Sequence, residues 1–215
     1  KILRSPHAHA VIKSIDAAKA LALPGVKAVV TSADLPVLSG RPVDVAEGSP
    51  LNPRFLSNNV LAADKALYKG HAVAAVAADS VHTAEAALSL IEVGYEVLTP
   101  VLDGKEAMEP DSPILHDRLF RSEGEFFRPG GLRDDDDDSV PTNIASHFIF
   151  ELGDPDQGFK DAEVVVEREF HTKPVHQGYI EPHSATVRWD RDGRVTVWGS
   201  SQGHFAIRDF TALVL

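Results

Sequence analysis

Two short clusters in the second half of the chain hold the side chains best suited to chemistry. His176-Gln177-Gly178-Tyr179-Ile180-Glu181-Pro182-His183 packs two imidazoles, a phenol and a carboxylate into eight residues. Gly199-Ser200-Ser201-Gln202-Gly203-His204 places a side-chain amide among small residues. The Gln202 amide can donate to an oxo or phosphate oxygen and accept in return. Gly203 and its neighbours open a helical pattern, where backbone N–H groups favour anions. Gln202 and Gly203 are therefore the candidate ligand-binding residues, against the plainer reading of a strand-to-helix turn. Glu181, between Ile180 and Pro182, is expected to be partly buried. It would then take a structural hydrogen bond to backbone or His183, or line a pocket. His171, His176, His183 and Glu181 resemble a histidine–carboxylate metal set in type. His7 and His9 sit two apart, which on a strand is loose zinc spacing with no third ligand nearby. Spacing alone assigns neither a metal ligand nor a catalytic residue.

A hairpin must position the two clusters. Residues 185–189 (ATVRW) and 194–198 (RVTVW) are rich in β-branched and aromatic side chains. Asp190-Arg191-Asp192-Gly193 between them is a polar turn whose Gly can take positive φ. Such a ribbon brings its outer ends together, so both clusters are expected at one cleft.

Upstream, residues 17–23 read as a helix stopped by Pro24-Gly25, and 26–31 as a buried strand. Residues 37–59 read as loop with short strands, and 60–62 as a strand candidate. HAVAAVAA (71–78) suits a central strand buried on both faces. Residues 81–90 are the clearest helix, capped by Asp79-Ser80, and 92–98 alternate as a strand. Residues 100–119 carry four breakers and read as an irregular connector. Residues 143–151 and 162–172 read as strands, and 205–215 as the start of a helix. The mixture is α+β.

The bulk numbers bound the partners. The chain has 215 residues with 43% apolar and 25% charged, an ordinary globular composition. A net charge of -11 argues against nucleic acid and against an anionic membrane surface. Part of it is the run of five aspartates at Asp134–Asp138, read as a solvated loop. Without Cys there is no disulfide and no protein-ligated iron–sulfur cluster in this chain. No window reaches the ~20 apolar residues of a membrane helix, and no signal-peptide pattern opens the chain. A cytoplasmic location is expected. Both ends fall inside structural patterns, so a piece of a longer protein is expected.

Several segments, taken in order, resemble one family. Ile2-Leu3-Arg4-Ser5-Pro6-His7-Ala8-His9-Ala10 resembles the opening of the catalytic part of molybdenum hydroxylases, the xanthine dehydrogenase, aldehyde oxidase and aerobic carbon monoxide dehydrogenase group. Residues 24–31, 66–74 and 92–101 continue the match; 153–154, 164–167, 176–183 and 199–202 carry it onward. The resemblance implies an α/β hammerhead domain over 1–120 and the first part of a molybdopterin-binding domain over 141–215; between them the Gly, Pro and Asp content of 121–140 reads as a flexible acidic linker. It implies a molybdenum–molybdopterin cofactor, with [2Fe–2S] clusters and FAD on other subunits or domains, and a small-molecule substrate hydroxylated with water-derived oxygen. An oligomer is expected. Gln202 matches the glutamine of the family's S-T-Q type motif, here Ser-Ser-Gln, which hydrogen-bonds an oxo ligand of molybdenum. Glu181 falls in a Y-x-E-x-H-like segment that supports the pocket. The glycine-rich loop and the glutamate base belong downstream, so this piece is expected to be inactive alone. The alternative is a non-catalytic folded module or assembly partner without a ligand site.

Overall fold

The α+β expectation is met, with two small antiparallel sheets flanked by short helices. The computed structural model describes residues 1–40, 43–44, 50–117, 122–123, 141–144, 146–147, 150 and 152–215. Two units separate: residues 1–148 with 208–215, and residues 149–207. The Asp134–Asp138 run and most of the 121–140 stretch lie outside the described residues.

In chain order the first unit holds β1 (Ile2–Arg4), β2 (Ala10–Asp16), α1 (Ala18–Leu21), β3 (Val26–Thr31), β4 (Val43–Asp44), β5 (Pro50–Leu51), α2 (Pro53–Val60), β6 (Lys65–Ala66), β7 (Ala72–Ala78), α3 (Val81–Leu88), β8 (Glu92–Val97) and α4 (Gly104–Met108). The two-residue strands β9 (Ser122–Glu123) and β10 (Ser146–His147) pair in parallel. One sheet has the order β1-β7-β3, the other β6-β2-β8. All pairings in these two sheets are antiparallel.

The AVAAVAA sequence of β7 explains its central place. It pairs on both edges, with Ile2 opposite Ala75 and Val29 opposite Val76. Its small side chains let a helix layer approach closely, so Ala74 and Val76 bury against Ala20 of α1 and Ala84, Ala87 and Ile91 of the α3 region. Ser80 caps α3 by accepting from the Thr83 N–H at 3.0 Å. Gly25 sits at φ +93°, closing the α1–β3 turn that the Pro24-Gly25 pair predicted.

Three expectations are corrected here. Residues 53–60 form α2, not loop or strand. Asn52 caps it, its side chain accepting from the Phe55 N–H at 3.0 Å, and Pro53 stands where a missing N–H costs nothing. A second short helix, α4, is capped by Asp103 inside the expected connector. Residues 162–172 are extended but belong to no sheet among the described residues. An alternating sequence needs a neighbouring edge to become a strand, and none of the described strands offers one.

The second unit holds α5 (Pro155–Asp161), β11 (Ala185–Trp189), β12 (Val195–Gly199) and the opening of α6 (His204–Val214). Asp154 caps α5 by accepting from the Gln157 N–H at 2.9 Å. Most of its residues are exposed.

Candidate functional site

The β11–β12 hairpin forms where its sequence places it. Ala185 faces Gly199 and Trp189 faces Val195 in an unbroken antiparallel register. The turn closes by Asp190 N–H to Arg194 C=O at 2.9 Å and Gly193 N–H to Asp190 C=O at 3.0 Å, with Gly193 at φ +84°. The Arg188 guanidinium lies 5.7 Å from the centre of the Trp198 ring, a diagonal cross-strand cation–π contact. Trp189 and Trp198 remain 69% and 52% exposed, so the ribbon presents apolar surface rather than hiding it.

The two polar clusters meet at the open end of this hairpin. The Ser200 hydroxyl donates to the Pro182 carbonyl at 3.3 Å, joining the loop after β12 to the segment before β11. Within that segment the rings of His176, Tyr179 and His183 form a chain. His176 and Tyr179 centroids are 4.9 Å apart, and Tyr179 meets His183 edge-on at 5.2 Å. The Gly178 N–H donates to His176 Nδ1 at 3.0 Å, which fixes the imidazole proton on Nε2 when the ring is neutral.

Gln202 is exposed, and its side-chain amide has no hydrogen-bond partner among the described residues. It stands two residues ahead of α6, in the turn the sequence places there. The Gly203 N–H is already engaged, donating to Ser201 Oγ at 2.9 Å. An anion could use that amide only by displacing the serine. The expectation of a partly buried Glu181 is corrected: it is exposed, and it makes none of the described hydrogen bonds. Exposure leaves it solvated, with nothing to demand a partner.

The histidine metal readings also meet the geometry. Among the described residues no three His, Cys, Asp or Glu side chains converge as ligands. His171 pairs with Glu169 at 3.2 Å on the surface. His7 and His9 do not share a strand face, because β2 begins only at Ala10. The His7 ring packs edge-on against Tyr95 at 5.0 Å. His9 is buried, its Nδ1–H donating to the Thr99 carbonyl at 2.9 Å, with Nε2 unpartnered.

The most constrained imidazole is one the pattern did not single out. His71, 0% exposed, accepts at Nδ1 from the Leu67 N–H at 3.2 Å and donates from Nε2 to the Asn58 carbonyl at 3.0 Å. Tyr68 stacks on it at 4.4 Å. Burial holds its pKa below the ordinary histidine value, and burial does the same for His116. His71 and Ser5 belong to one clasp: Ser5 N–H donates to His71 C=O at 2.8 Å, Gly70 N–H to Ser5 C=O at 2.9 Å, and Arg4 Nη1 to Gly70 C=O at 2.8 Å. The only advance signal was a histidine at the mouth of an apolar run.

Two family models match the chain. Residues 1–99 match the family model of the aldehyde oxidase and xanthine dehydrogenase a/b hammerhead domain. Residues 137–215 match that of the molybdopterin cofactor-binding domain. The chain is 37% identical to "Probable hypoxanthine oxidase XdhD" of Escherichia coli O157:H7, over 97% of this chain and 23% of that protein. It is 35% identical to the carbon monoxide dehydrogenase large chain of Afipia carboxidovorans, over 99% of this chain and 24% of that one. Among solved structures, the carbon monoxide-reduced Cu,Mo-CO dehydrogenase superposes with a TM-score of 0.72 at 35% identity, covering 99% of this chain and 25% of that chain. Quinoline 2-oxidoreductase from Pseudomonas putida 86 gives 0.65 at 27% identity, over 94% of this chain and 23% of that one. The chain thus spans about a quarter of the length of these relatives.

Proposed function

We propose, for a chain that belongs to the molybdenum hydroxylase family, that it is part of the large subunit of a molybdenum-cofactor-dependent oxidoreductase and supplies scaffold and one wall of the cofactor pocket. In this reading residues 1–120 are the hammerhead domain, 121–140 a linker, and 141–215 the first part of the molybdopterin-binding domain. When bound, the pterin-held molybdenum supplies oxygen transfer to a substrate carbon and accepts the electrons. The protein's share is to bind and orient.

The observation that carries this reading is the exposed amide of Gln202, unpartnered among the described residues, at the end of a hairpin and beside a helix start. Its NH2 can donate to an oxygen of the cofactor and its C=O can accept in return, so the donor set fits the group. Gly203 supports it as neighbour, its N–H tied to the Ser201 hydroxyl at 2.9 Å. The [2Fe–2S] clusters lie on other subunits or domains, since a chain without Cys cannot supply their thiolate ligands, and the resemblance implies FAD there too. The substrate is a small molecule, the assembly is an oligomer, and its place is the cytoplasm. Among the described residues no helix is long and apolar enough to cross a membrane.

The test is made in the full-length protein containing this chain. Molybdenum content and dye-coupled hydroxylation are measured for wild type and Gln202→Ala. Loss of a hydrogen bond to a charged oxygen, on the order of 1.5–3 kcal/mol, predicts a kcat lower by roughly 10- to 100-fold. Unchanged kcat with molybdenum retained overturns the assignment of Gln202.

A further inference from the structure

The hydroxyls of Ser200 and Ser201 point to different tasks. Ser200 Oγ donates to the Pro182 carbonyl at 3.3 Å and so fastens the loop to the segment bearing Glu181 and His183. Ser201 Oγ accepts from the Gly203 N–H at 2.9 Å and so closes a tight turn whose middle residue is Gln202. Gln202 lies between the two fastenings and the first turn of α6. Its own side chain makes no hydrogen bond among the described residues, so what these two bonds restrict is the backbone from which it extends.

We propose that Ser200 and Ser201 are positioning residues for Gln202: together they hold its backbone so that the amide faces the cofactor oxygen. This rests on the reading that Gln202 meets that oxygen. Both bonds lie at exposed sites, where water replaces a lost protein partner, so removing either hydroxyl costs little folding stability. What is lost is the restriction on the Gln202 backbone. A flexible side chain on a loosened turn spends less of its time in the productive geometry, which slows the step without weakening substrate binding. Threonine at 201 offers the same oxygen to Gly203, whereas alanine offers none.

The experiment uses the full-length holoenzyme with Ser201→Ala, Ser201→Thr, Ser200→Ala and Gln202→Ala. Steady-state kcat and KM, the molybdenum-to-protein ratio, and hydrogen exchange of the 200–207 segment are measured. Each serine-to-alanine change is expected to lower kcat by roughly three- to tenfold, one neutral hydrogen bond's worth, with KM and molybdenum content unchanged. The 200–207 amides exchange faster in Ser201→Ala, and Ser201→Thr restores both readouts. A wild-type kcat in both serine-to-alanine variants, with Gln202→Ala slow, overturns the positioning role and leaves the Gln202 reading intact. Loss of molybdenum or of thermal stability in Ser201→Ala also overturns it, because that is a merely structural role. A silent Gln202→Ala with full molybdenum overturns the underlying reading, and the positioning role with it.

Discussion

Lowering the pH should loosen the first unit through His71, and the arrangement of its ring nitrogens sets both sign and size. Nε2–H donates to the Asn58 carbonyl and Nδ1 accepts from the Leu67 N–H, both at a site with 0% exposure. A second proton on Nδ1 would face a donor and carry charge into a buried site, so the folded pKa is lowered, by burial above all. The unfolded histidine titrates near ~6.5. The stabilisation is therefore complete above that pH and is lost as the pH falls from there through the lowered folded value. One proton taken up only on unfolding gives a slope of at most about 1.4 kcal/mol per pH unit. His116, also lowered by burial, adds a second of the same sign. Its neighbours are Asp117 and Lys65, themselves paired at 2.7 Å, together with His71 and His9. Replacing His71 by Gln keeps a donor and an acceptor but cannot titrate. The loss of stability between pH 7.5 and pH 5.5 should then shrink by up to half. Both tryptophans sit in the β11–β12 hairpin, so their fluorescence reports the other unit. Native-state hydrogen exchange of the β7 amides is the suitable assay. Equal acid slopes in wild type and His71→Gln would refute the reasoning.

Two further outcomes concern stability alone. Gly25→Ala puts a side chain at φ +93° with its Cβ 3.3 Å from Thr83 Cγ2, and should cost about 1–2 kcal/mol by chemical denaturation. Asn52→Ala removes the α2 cap and the 2.6 Å bond from its Nδ2 to the buried Gly40 carbonyl, and should cost about 1–3 kcal/mol, with exchange rising first in α2.

The sheet centre and the hairpin were readable because each carries its own evidence. AVAAVAA is apolar on both faces, and the Asp190–Gly193 turn names its φ in advance. The α2 helix was missed because Asn52 and Pro53 were weighed as breakers, although the same pair makes a cap and a first helical residue. Residues 162–172 misled for the opposite reason: alternation describes a strand's faces but says nothing of its neighbours. The burial of His9 and His71 could not be read at all. It depends on Thr99 and Asn58, which sequence pattern does not connect to them. Gln202 stood out from the plainer turn only through resemblance, since its side chain makes no hydrogen bond among the described residues.

The clasp between the first strand and the loop before β7 also bears on the order of assembly. Arg4 and Gly70 are 66 residues apart, and closing a flexible loop of that length costs roughly 4 kcal/mol in chain entropy. Three residues of β1 return too little to meet that cost early. The helix and strands in between must shorten the gap first. We expect β1 to dock on the β7 edge after β3 has paired with the other, which pulse-labelled hydrogen exchange would show as protection of the Ile2–Arg4 amides later than those of Val26–Thr31.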